Sequence, residues 1–532
     1  MQIARIGHGS AEQCPAEIVG GKAANLMRAA ALGLPVPPAF VLPIELCTAT
    51  VRGEAAAAHD LADGLTEGIE FLERATGRRF GDRRRPLLVS VRSGAARSMP
   101  GMLDTVLNVG CTRPAVRGLV RMTGDPRFAN DCRRRFLESY GEVVLGIDAN
   151  AFTRKCGELT AAEGGGERAL DSEALERLAA WYEEIIESED HVLGEDPMEH
   201  LKTAAQAVLR SWMGERARTY RKLEHLEELR GTAVTVQAMV FGNSGASSGA
   251  GVAFSRDPST GDAKPVIDVL FESQGEDVVS GGHNPQTEDA IARTLPEIAT
   301  QLHEALALLE SDFTDIQDVE FTIENGKLWI LQTRAAKRTP RAALRLAIDF
   351  VNENRITARD ALARLDDLDL SALANQRLTA NGEPIGRGVC ASAGVAVGRA
   401  AFDAESAVRS AATGDAVILL RPDTTTADVG GFAAAAGIVT AVGGRTAHAA
   451  LVARQMGKPC IVGCTELSVD AASHSARLAN ATIKEGDWLS IDGEAGVIYL
   501  GQGKIIAERP EAELAIVESW RHNLRSATSS TS

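Results

Sequence analysis

Apolar positions along this chain follow two rhythms, and the switches between them mark its parts. Residues 1 to about 110 alternate strand-like and helix-like pieces. The stretch "GGKAANLMRAAALGLPVPPAFVLP" (20–43) predicts a glycine turn, a helix over 22–32, a stop at Gly33 and a proline-bounded strand. From about 111 to 230 the period is helical, as in "SEALERLAAWYEEIIES" (172–188). Strands return in "TAVTVQAMVFG" (232–242), "GVAFSRDP" (251–258) and "DVEFTIENGKLWILQTR" (318–334). Two amphipathic helices with an Asn-rich break follow over 340–365, then a polar stretch to about 380 that reads as a linker. A second strand–helix alternation opens at "IGRGVCASAGVAVGRA" (385–400) and closes with "GDWLSIDGEAGVIYLG" (486–501). The terminal "SATSSTS" is low-complexity and predicts disorder. The fold class is α/β (α+β): a block over 1–340 with a helical insertion at about 111–230, a helical linker over 341–384, a second block over 385–505, and a partly disordered tail over 506–532.

Composition narrows the function classes. At 532 residues the chain exceeds one hydrophobic core and divides into about three or four domains. No run approaches the ~18–20 apolar residues that span a bilayer, and "MQIARIGHGSAEQC" lacks the apolar core of a secretory signal, which predicts a cytoplasmic protein without membrane contact. Eight scattered cysteines with no CxxC pair read as reduced and mostly buried, and argue against a zinc site. A formal charge of −16 argues against a nucleic-acid partner. The basic cluster at 78–85 reads as a solvated loop.

The hairpin at 318–334 is the first candidate for chemistry. A three-residue loop, Glu324-Asn325-Gly326, puts Val319, Phe321, Ile323, Trp329 and Leu331 on one face and Asp318, Glu320, Gln332 and Arg334 on the other. Hard oxygens beside an arginine suit a Mg²⁺–polyphosphate complex, although this face alone reads equally well as solvated sheet surface. "GNSGASSGAG" (242–251) offers backbone N–H groups, Gly249 among them, that can cradle phosphate. "LLVSVRSGAARSMPGMLDT" (87–105) runs a buried strand into Arg92 and a flexible loop, and Lys22 follows two glycines at a helix start. GxxxxGK[ST] is absent, so this is not a P-loop enzyme.

"GGRTAHAALVARQMGKP" (443–459) follows the buried strand "AAGIVTAV" with a double-glycine turn. Thr446 is the N-cap candidate, Ala447 to Met456 the helix, Gly457 its stop and Pro459 the breaker. His448 then lies in the first helical turn, where the helix dipole favours neutral imidazole and the free N–H groups suit a phosphoryl group. A histidine in that position is placed to be phosphorylated.

Over about 1–505 the chain resembles the pyruvate phosphate dikinase family. The resemblance rests on "GGKAANL", "SVRSGAARSMPGMLDTVLNVG", "MVFGNSGASSGAGVAFSRDPSTG", "QGEDVVSG", "VEFTIENGKLWILQTR" and "GGRTAHAALVARQMGKPCIVGC". It implies an ATP-grasp nucleotide domain and a swivelling phosphohistidine domain. It implies ATP contacts from Lys22, Arg92 and Arg334, metal or phosphate contacts from Glu320 and Gln332 with Asp318 nearby, and His448 as phosphoryl acceptor. Thr446 matches a threonine that regulates plant members, whereas Ala447 replaces the serine often found beside it. The substrates implied are ATP with Mg²⁺ and inorganic phosphate. Family members continue into a pyruvate-binding barrel; its absence here implies a separate barrel protein as partner. A dikinase for another acceptor, and a phosphocarrier or nucleotide-sensing regulator, stand as the alternatives. Assembly as a homodimer is left open.

Overall fold

The structure is a computed structural model. It describes the whole chain except residues 1, 8–11, 98, 100–102, 165, 224, 280–283, 381, 424–427, 446, 471–472 and 530–532. It is a mixed α/β protein whose residues gather into two compact units.

The first unit comprises residues 1–246 with the hairpin tip 323–333. Its sheet has five antiparallel strands in the order Ala4–Ile6, Ala39–Leu42, Thr232–Ala238, Val89–Ala95, Thr105–Val109. Every residue of Ala39–Leu42 and Thr232–Ala238 is buried, so these central strands have no exposed face, although the second includes Thr235 and Gln237. The helical insertion runs from Arg113 to Leu223. Five of its helices begin alike: the side chains of Thr112, Asp125, Asp148, Asp171 and Asp196 each accept a hydrogen bond from a first-turn N–H.

The second unit comprises residues 247–322 and 334–532. Its first sheet is ordered Gln286–Thr287, Val266–Phe271, Gly249–Phe254, Gln317–Glu324, Lys327–Ala335, the last strand crossing the division between units. Helices Pro340–Asn352 and Ala358–Leu365 follow as the sequence predicts, the second opened by a Thr357–Asp360 capping box. An eight-stranded sheet then forms around four parallel strands: Val395–Ala401, Val417–Arg421, Gly437–Thr440 and Cys460–Val462. Ala407, Phe432, Ala449, Ala450 and Ala453 from three helices fill one side of it. Leu467, Leu478 and Ile483, from a small meander, fill the other.

The end of the chain is packed more closely than a partly disordered tail would be. Glu511–Ser529 is a helix, and its Leu514 and Val517 are buried against Leu344, Ile348 and Leu365 of the linker helices. Strand Lys504–Glu508 pairs antiparallel with Asn375–Thr379. Hence the linker and the supposed tail form one body. The sequence reading misses this because the Leu514 stripe finds its partner about 170 positions earlier in the chain. Residues 530–532 of "SATSSTS" lie outside the described residues.

Candidate functional site

His448 is the first residue of the helix His448–Gln455. The buried strand Gly437–Thr440 leads into a turn where Gly443 has φ +108°, a left-handed conformation glycine tolerates. The helix therefore starts at the carboxyl end of the parallel strands, where open α/β sheets place their ligands. Its N-cap is Ala447 rather than Thr446, which lies outside the described residues. Alanine offers no side-chain acceptor, so the N-cap residue itself leaves the first-turn N–H groups without a side-chain cap. At the other end Gly457 (φ +63°) stops the helix, and Lys458 N donates back to Ala453 O at 2.8 Å.

The hairpin corrects the expected loop. Its strands end at Glu324 and restart at Lys327, leaving a two-residue turn in which Asn325 (φ 50°) and Gly326 (φ 72°) are both left-handed. Asn-Gly adopts this tight turn because its twist matches that of the flanking strands. Buried apolar residues on the returning strand are consequently Leu328 and Ile330, while Trp329 and Leu331 are half-buried. At the base, Ala336 N donates to Ile316 O at 3.0 Å, so the returning strand carries one residue more than the outgoing one. With that offset Asp318 and Arg334 meet across the two strands. Arg334 Nε donates to Asp318 Oδ2 at 2.8 Å. Glu320, two residues along from Asp318, and Gln332, two before Arg334, share the faces of these partners within their own strands.

Burial pushes the Asp318 carboxyl above the usual carboxylate range, opposed by the Arg334 charge. Burial acts on Arg334 too, but the charges of Asp318 and Glu320 outweigh it and keep the guanidinium protonated. Asp318 Oδ1 is buried with no hydrogen-bond partner, an orphaned hard oxygen beside Glu320. Within the described residues no group of three or more His, Cys, Asp or Glu is arranged to hold a metal by itself.

In the first unit Lys22 is the second residue of the helix Gly21–Ala31. Gly20 seats that helix: a Cβ there would lie 2.1 Å from Gly94 O. Lys22 is thereby brought to the end of strand Val89–Ala95, which carries Arg92 opposite Thr105 and Thr235. Arg92 Nε is buried without a hydrogen-bond partner. Gly249 proves to be the first residue of strand Gly249–Phe254 rather than part of a loop, pressed against Leu270 O. The loop proper is 239–248. The run "SMPGM" (98–102) falls almost wholly outside the described residues.

The family model for the pyruvate phosphate dikinase AMP/ATP-binding domain matches residues 53–298 and 290–354. This chain belongs to the pyruvate phosphate dikinase family. The model for the mobile domain of PEP-utilising enzymes matches residues 413–496, around the His448 helix. Relatives include the pyruvate, phosphate dikinase of Rhizobium meliloti (strain 1021), 41% identical over 98% of this chain and 60% of its own length. That of Clostridium symbiosum is 41% identical over 91% of this chain and 56% of its own. Pyruvate, phosphate dikinase 2 of Zea mays is 40% identical over 96% and 58%. The chain thus spans somewhat under two thirds of the length of these dikinases. Arg92, Gly249, Asp318, Glu320, Gln332 and Arg334 all fall within the AMP/ATP-binding match, whereas Lys22 precedes it. Among the described residues no helix is long and apolar enough to cross a membrane.

Proposed function

We propose that this chain loads His448 from ATP as a pyruvate phosphate dikinase does. The imidazole attacks the β-phosphorus, the bond from that phosphorus to the α–β bridging oxygen breaks, and AMP leaves with the oxygen. Inorganic phosphate takes the γ-phosphoryl, giving pyrophosphate and leaving phosphohistidine. The observation that carries this reading is His448 at the first position of a helix whose N-cap residue, Ala447, has no side-chain acceptor, in a chain that matches an AMP/ATP-binding domain. The first-turn N–H groups would receive the phosphoryl oxygens that the transfer places on His448.

Lys22, Arg92 and Arg334 are assigned to the nucleotide phosphates, with backbone N–H groups from the Gly249 region. Asp318 Oδ1, Glu320 and the Gln332 amide oxygen are hard donors that fit Mg²⁺. When bound, the ion would neutralise polyphosphate charge. We assign the second half-reaction to pyruvate on the strength of the relatives' names, with the barrel implied by the resemblance as the partner that binds it. A cytoplasmic setting accords with eight unpaired cysteines.

Mass spectrometry after incubation with ATP, Mg²⁺ and phosphate should find an acid-labile, base-stable phosphoryl group on His448 and none in His448→Ala. Glu320→Ala should remain folded and label on the order of a thousandfold more slowly. Equal labelling of the wild type and His448→Ala would sink the reading.

A further inference from the structure

Arg454 lies in the last turn of the His448 helix and is 1% exposed, an uncommon state for an arginine. Its Nη1 donates to Arg445 O at 2.8 Å, three residues before His448, and to Ala391 O at 2.7 Å. Ala391 O also accepts from Ser259 Oγ at 3.2 Å. The guanidinium carbon stands 5.2 Å from the centroid of the Phe254 ring. Nε and Nη2 are buried without hydrogen-bond partners. Burial lowers its proton affinity, while the charges of Asp318, Asp257 and Asp268 oppose that shift. An arginine with two orphaned donors is costly to bury, and a long apolar side chain could fill the volume at less cost.

The turn ahead of His448 is held from the same direction. Gly443 N donates to Asn284 Oδ1 at 3.1 Å. A Cβ at Gly444 would lie 2.3 Å from Pro285 Cγ and 2.7 Å from Asp268 Oδ2, so only glycine permits this approach. Ser259, Phe254, Asn284 and Pro285 all belong to the segment within the AMP/ATP-binding match. One planar guanidinium therefore links the His448 turn, the strand Val389–Ser392 and that segment.

We propose that Arg454 is a positioning residue for phosphoryl transfer, setting the turn that carries His448 in register with residues 254–285, with Asn284 as the second tether. The inference rests on His448 being the acceptor. Arginine suits the position because its Nη1 donates to two carbonyls while the guanidinium carbon stays 5.2 Å from the Phe254 ring centroid, and the compact ammonium of lysine lacks that planar surface.

The test uses the full chain with two readouts: labelling rate as a function of ATP concentration, and hydrogen exchange of the segment 443–450. Arg454→Lys should lower the maximum labelling rate about tenfold to a hundredfold, as a displacement of about 1 Å does. The half-saturating ATP concentration should change less than the maximum rate, because the hydrogen bonds of Arg454 go to Ala391 O and Arg445 O and only its charge reaches Asp318. Exchange in 443–450 should accelerate while strand Val417–Arg421 stays protected. Asn284→Ala changes an exposed side chain, so it keeps the fold intact, and should slow labelling several-fold with the same exchange signature. Unchanged exchange and unchanged maximum rate in both variants overturn the inference while leaving the acceptor reading intact. Wild-type protein that takes no label overturns the acceptor reading, and this inference with it.

Discussion

Asp131 shows how much a single buried carboxylate can organise. It accepts hydrogen bonds from Arg134 Nη2 at 2.7 Å, Arg135 Nε at 3.0 Å and Asn243 Nδ2 at 2.8 Å, the last on the loop that leads to Gly249. Burial alone would raise its pKa, but the Arg135 and Arg134 charges prevail and hold it well below the usual carboxylate range. A depressed folded-state pKa means that the stabilisation is complete above the ordinary aspartate value and is lost as pH falls below it. Asp131→Asn should therefore cost about 3–5 kcal/mol at neutral pH and clearly less at about pH 3. Urea unfolding at both pH values checks this; equal losses at the two would refute it. Arg133 and Arg134 belong to a run of three arginines, Arg133-Arg134-Arg135, yet both are buried. Their carboxylate partners Glu183 and Glu167 lie tens of residues away, beyond the reach of local pattern. Arg454 was passed over for the same reason, its partner Ala391 being 63 residues distant. The signals that single out Lys22, Arg92 and His448 are local: a glycine pair lies shortly before Lys22 and His448, and a buried strand carries Arg92.

At the scale of elements, glycine turns decide how helices meet strands. Gly20 (φ +81°) combines a left-handed backbone with the close approach to Gly94 O, whereas Gly33 (φ +83°) has nothing near its missing Cβ. Gly33→Ala should cost about 1 kcal/mol, the strain of the backbone alone, and Gly20→Ala roughly 2–4 kcal/mol more. Only the second should also slow His448 labelling, since it moves the Lys22 helix. Equal denaturation midpoints for the two variants would show that the close approach carries no weight. The hairpin teaches a related lesson. Asp318 and Arg334 do meet, but the turn is two residues long and the apolar residues buried on the returning strand are Leu328 and Ile330 rather than Trp329 and Leu331. Alternation along one strand shows which residues share a face, yet it cannot count the residues on the opposite strand.

At the scale of the whole molecule, the two stretches that flank the eight-stranded sheet close on each other. Val517 is fully buried in their shared core. Val517→Asp should release the helix Glu511–Ser529, raising hydrogen exchange across 511–525 with little change in the protection of Val417–Arg421. Retained protection in 511–525 would mean that the strand pair 375–379 with 504–508 holds the end of the chain unaided. Sequence alone determined the order of elements, the buried strands, and a helix behind a glycine turn with His448 in its first turn. These depend on side-chain period and on hydrogen bonds spanning three or four residues, which a linear reading contains. Tertiary structure alone decided the hairpin register, the burial of Asp131 and Arg454, and the docking of the final helix. Each depends on which distant apolar face or carbonyl a side chain meets, and burial free energy depends on that meeting rather than on neighbours in the chain.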